Sequence, residues 1–87
     1  MEHKKEIKGY GGRLNILAND IGDLQYDSLA LFLQALALKL QLDSTKDRLR
    51  GRKKLALFTH VASDKVGGSA DLIMKAWKIC EPHMKEK

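Results

Sequence analysis

An all-α fold follows from three features of this 87-residue chain. Apolar residues recur at helical spacing over three segments, 14–24, 29–42 and 55–80. No stretch alternates with a period of two, and no turn dipeptide joins β-branched runs. The segment 29–42, LALFLQALALKLQL, is apolar on two sides and so belongs between partners. The expected architecture is a small antiparallel bundle of three or four helices occupying 13–82, with helix 29–42 at its centre.

Residues 1–12 read as a flexible glycine-containing tail. Charges alternate between Glu2 and Lys8, and Gly9, Gly11 and Gly12 surround Tyr10 without an apolar period. The first helix is expected from about Arg13 to Leu24, with Leu14, Leu17, Ile21 and Leu24 on one stripe. Asp27 or Ser28 is the expected N-cap of the second helix. At about 100° per residue, Leu29, Phe32, Leu33, Leu36 and Leu40 share one face of it, and Leu31, Ala35, Leu38 and Leu42 share the other. Gln34 and Gln41 lie between the faces on one side, Lys39 on the other. So few helices cannot cover both faces, so a second copy of the chain is the expected partner for one of them. Leu31, Ala35, Leu38 and Leu42 are the candidate oligomer face. Asp43 and Ser44 are expected to close this helix, and Ser44 with Asp47 to form a capping box for the next.

Over 55–80, Leu55, Phe58, Ala62, Val66, Ser69, Ile73, Ala76, Trp77 and Cys80 fall on one stripe if the segment is drawn as a single helix. Gly67-Gly68-Ser69 nevertheless reads as one helix ending and another being capped, because glycine closes helices and serine starts them. A break or kink is therefore expected there. Pro82 ends the last helix, and 83–87 reads as a charged tail.

With 44% hydrophobic and 31% charged residues, the chain has the balance of a folded domain, not a disordered one. A domain this small buries only about 60–65% of the surface its unfolded form exposes, and self-association is a common way to add buried area. The single cysteine, Cys80, excludes an internal disulfide framework and suits a reducing compartment. The N-terminal residues are too polar for a secretory signal. The apolar run is shorter than the roughly 20 residues that cross a bilayer, so no membrane span and a cytoplasmic location are expected.

The net charge of +5 is concentrated in one place. Residues 46–54, KDRLRGRKK, hold Lys46, Arg48, Arg50, Arg52, Lys53 and Lys54 against Asp47, while the remaining ten cations and ten anions cancel. Phosphate neutralisation by such a cluster gives sequence-independent affinity for nucleic acid. Placed after helix 29–42, it also allows a helix-turn-helix reading in which the helix after Ser44 is the recognition element. Against this, charges drawn on a helix here point all round its axis, and no aromatic residue within the run can stack on a base. An acidic protein or an anionic membrane surface is the other partner of suitable chemistry.

No other constellation carries a recognisable chemistry. Cys80 and His83 stand three apart without a second pair to complete a tetrahedral site, and Cys80 lies on the apolar stripe as a small core residue. His60 reads as a surface histidine. Met1-Glu2-His3 can wrap a square-planar cation, an arrangement that arises by chance in many sequences. Asp20, Asp23 and Asp27 share a face only if the first helix continues past Leu24. The glycines at 9, 11 and 12 precede no G-K-[ST] motif. Ser28, Ser44, Thr59, Ser63 and Ser69 lack a nucleophile elbow. The expectation is a non-enzymatic, self-associating helical interaction module with a basic surface and no cofactor or metal, or alternatively a small nucleic-acid-binding protein using 46–54.

Overall fold

The computed structural model describes residues 3–84, which form three α-helices and no strand: α1 (Leu14–Gly22), α2 (Tyr26–Leu49) and α3 (Lys53–Met84). Helices α2 and α3 form a long antiparallel hairpin, and α1 adds little contact and has no buried side chain. All-helical packing was the expectation. Its arrangement differs from it in four ways.

The second helix is much longer than 29–42. It begins at Tyr26 after Gln25, whose side chain makes no capping bond, so neither Asp27 nor Ser28 is the cap. Asp27 lies instead in the first turn, where its carboxylate favours the positive end of the helix dipole and accepts the Ser28 N–H at 2.7 Å. Asp43 and Ser44 lie inside the helix, which also rules out the capping box with Asp47 and a separate recognition helix after Ser44. The actual stop is Gly51. Its φ of +82° is left-handed backbone that a side chain disfavours. Gly51 N–H bonds the Arg48 carbonyl at 3.0 Å and Arg52 N–H the Asp47 carbonyl at 2.9 Å, which together make a Schellman closure.

The third helix is unbroken. It runs through Gly67 and Gly68, neither of which has the positive φ that a glycine C-cap adopts. It also continues past Pro82 to Met84. A proline one turn from a helix end removes only one backbone bond, to the carbonyl four residues earlier.

The stripe over 55–80 is not the line of contact with α2. The buried residues of α3 are Ala56, Ser63 and Ala70, and those of α2 include Ala30 and Ser44. These are small residues seven apart, and Ala37 completes the α2 series. Two observations set the antiparallel register. Ser44 Oγ donates to the Ala56 carbonyl at 2.8 Å, and a Cβ placed on Gly67 would lie 3.8 Å from the Ala37 Cβ. The same register sets Ala30 opposite Ala70. Small residues at every second turn let the two backbones approach closely, so the larger side chains flank the seam. Val66, Ile73, Trp77 and Cys80 of the expected stripe are accordingly half-buried, whereas Leu55 and Phe58 are 50% and 72% exposed and Ala62 and Ser69 are also exposed.

The hairpin leaves a great deal of surface in water. Its radius of gyration is 15.8 Å, against about 12 Å for a compact chain of this length. It exposes 7098 Å², where a compact monomer of 9.8 kDa exposes about 5,200 Å². No large side chain among the described residues is fully buried.

Candidate functional site

Two surfaces stand out. The first is the closed end of the hairpin. Lys46 and Arg48 lie in the last turns of α2, Arg50 and Arg52 in the connection, and Lys53 and Lys54 in the first turn of α3. All six candidate cations are thus brought to one tip, but on three successive elements instead of one helix face. The turn at Gly51 is what gathers them. Arg52 Nη1 lies 4.0 Å from Asp47 Oδ1, a loose pair with the arginine more than half exposed. Arg48 and Lys53 line a shallow cleft of about 310 Å³ with Ser44, Ala56, Leu57 and His60. His60, which the sequence placed alone, therefore stands beside the cations, with Nε2 3.6 Å from Asp64 Oδ2.

The second surface is the side of α2 turned away from α3. Leu31, Leu38 and Leu42 are 61%, 56% and 52% exposed, and Ala35 is exposed between them. The other face of the expected pair is divided: Leu29, Leu33 and Leu40 are half-buried beside the seam, while Phe32 and Leu36 are exposed. Because α2 runs on to Leu49, the outward stripe also takes in Thr45 and Leu49, which a helix ending at Leu42 leaves out. The signal for them was the stop at Gly51, with basic residues in the turn before it.

The two broad sides of the hairpin differ. Gln34, Gln41, Ser63, Asp64 and Asp71 line one shallow cleft with Ala37, Leu38 and Gly67, so that side is largely polar and Leu38 stands at its edge. Helical geometry sets Phe32, Leu36, Leu55 and Phe58 towards the other.

The strongest ion pair lies between these surfaces. Lys39 Nζ donates to both oxygens of Asp43, at 2.7 and 2.9 Å. These bonds hold the Asp43 carboxyl below its ordinary value of 3.8, against partial desolvation that acts in the opposite direction, with further help from the charges of Lys39, Lys46 and His3. A carboxyl whose folded value is depressed stabilises the fold above its unfolded value and loses that contribution as pH falls through the folded one. Asp43→Asn is therefore expected to lower the melting temperature near neutrality and to flatten its dependence on pH below about 4. Thermal melts of both proteins across the acid range check this. Equal slopes would show that the pair does not couple to folding. At the other end, the Tyr10 hydroxyl donates to Asp20 Oδ2 at 3.2 Å, which raises the phenol above its ordinary value and ties the N-terminal turns to α1.

The remaining candidates are dispersed. Helix α1 stops at Gly22, Asp23 caps it and Asp27 belongs to α2, so the three aspartates do not share a helix face. No group of three His, Cys, Asp or Glu side chains among the described residues comes together to hold a metal ion. Met1 and Glu2, needed for the square-planar arrangement with His3, lie outside the described residues, as do 85–87 of the charged tail. Among the described residues, no helix is long and apolar enough to cross a membrane. No protein-family model, curated protein or solved structure matches the chain.

Proposed function

We propose that this chain is a non-enzymatic helical interaction module that associates with itself and presents its basic tip to an anionic or protein partner. One observation carries the reading: the leucines on the outward side of α2 remain more than half exposed, and no large side chain among the described residues is fully buried. An apolar surface held in water is a binding surface waiting for its partner. Sedimentation equilibrium tests it directly. A dimer or larger assembly is expected, and a monomer at high micromolar concentration with a cooperative melt would refute it.

The gathering of Lys46, Arg48, Arg50, Arg52, Lys53 and Lys54 at one tip supports a second reading, nucleic-acid binding through phosphates. With about five phosphate contacts, log K for duplex DNA would fall with log salt at a slope near −4.5, and changing Arg48, Arg50 and Arg52 to glutamine would flatten it. The leading reading expects no binding to duplex at physiological salt, since the tip carries no aromatic platform and spreads its charges around the hairpin end. Sub-micromolar duplex affinity that disappears in the triple variant would reverse the ranking.

A further inference from the structure

Helix α2 carries two seams at heptad spacing. Ala30, Leu33, Ala37, Leu40, Ser44 and Asp47 form the one turned to α3. Leu31, Ala35, Leu38, Leu42, Thr45 and Leu49 form the other, spaced 4, 3, 4, 3 and 4 and lying about 150° round the helix. Both follow the spacing that lets helices interlock side by side, yet the second is bare, with its leucines 52–81% exposed.

We infer that a second copy of this chain occupies the bare seam, α2 against α2, antiparallel about a two-fold axis level with Leu40. This rests on the self-association proposed above and goes further by naming the surface, the direction and the register. A two-fold contact must be complementary to itself. Reversing α2 about residue 40 exchanges Leu31 with Leu49, Ala35 with Thr45 and Leu38 with Leu42. Leucine then meets leucine, and small meets small, in every layer.

Charge sets the direction. A parallel pair would bring two tips of net charge +5 together. An antiparallel pair sends each tip to the open end of the other hairpin, where Asp20, Asp23, Asp27 and Glu81 outnumber Lys75 and Lys78. Surface is also to hand across the chain as a whole: a stable interface buries about 800 Å² per partner. The chain exposes about 1,900 Å² more than a compact monomer of its mass.

The test uses the full chain with Cys80→Ala, carrying either Leu38→Cys or Leu42→Cys, one of the two isotope-labelled so that mass spectrometry tells them apart. Both positions are more than half exposed, Leu38 at the edge of the polar cleft, so the hairpin should keep its helical circular dichroism. Mixing the two chains under oxidation is expected to give the mixed disulfide, with little of either homodimeric one. Like positions would be offset by about 6 Å along the axis in addition to the helix separation, beyond the roughly 7 Å between Cα atoms that a disulfide spans. Wild type should sediment as a dimer. If it does, but Leu38→Cys cross-links to itself or neither mixture cross-links, this arrangement is wrong while self-association stands. If wild type is a monomer at high micromolar concentration, both fail.

Discussion

Replacing Gly67 and Gly68 together with alanine is expected to stabilise the protein by roughly 2 kcal/mol, because each glycine inside a helix costs about 1 kcal/mol relative to alanine. At about 4–8 °C per kcal/mol for a domain of this size, the melting temperature should rise by roughly 8–16 °C. Space permits the change: a Cβ at Gly67 meets the Ala37 Cβ at 3.8 Å, an ordinary contact, and one at Gly68 meets nothing within 4 Å. The sign is the informative part. Were the helix broken there, with glycine in the left-handed conformation, alanine would destabilise by a similar amount. Differential scanning calorimetry of the double variant decides between a continuous α3 and two shorter helices. If the variant assembles as the wild type does, its concentration dependence should be unchanged.

The opposite effect is expected at Ala70. Its side chain is wholly buried, and the register sets it opposite Ala30, which is equally buried. Leucine in place of Ala70 adds three carbons where two backbones lie close, so α2 and α3 must separate along the seam or force strained rotamers. Overpacking of this kind costs about 3 kcal/mol. Ala62→Leu is the control, since Ala62 is exposed and its substitution should change stability by less than about 0.5 kcal/mol. Urea denaturation of the two variants separates the alternatives cleanly. If the larger stripe of Leu55, Phe58 and Ala62 were the contact, Ala62→Leu would be the damaging change and Ala70→Leu the mild one.

Those two expectations show where sequence reading succeeds and where it stops. That 29–42 and 55–80 are helical was legible, because a 3.6-residue period records which side of the chain avoids water. The boundaries were less so. Gly67-Gly68-Ser69 has the composition of a helix end, but α3 passes through it, since glycine only permits a left-handed turn and does not impose one. Gly51 is the glycine that does turn. Its signal lay within the basic run, where Lys46 and Arg48 complement the negative end of α2.

That one of the two apolar faces of α2 lacks cover inside the chain was also legible, though not which of them it is. The contact between α2 and α3 was not. Periodicity weighs residues by hydrophobicity and so points to Leu55 and Phe58. Two long antiparallel helices instead gain most where their backbones can come close, and that selects Ala30, Ala37 and Ser44 against Ala56, Ser63, Gly67 and Ala70. Small side chains carry almost no hydrophobic signal; their value arises only once a second helix lies against them.

By itself, then, the sequence determined that this protein is helical, where its cations cluster, and that α2 is apolar on more than one side, because period and charge are properties of the chain alone. Tertiary structure decided which seam closes the hairpin, that six cations meet at its tip, and that the leucine seam of α2 is left uncovered. Those depend on how near two helices can approach and in what register, which no single helix can specify.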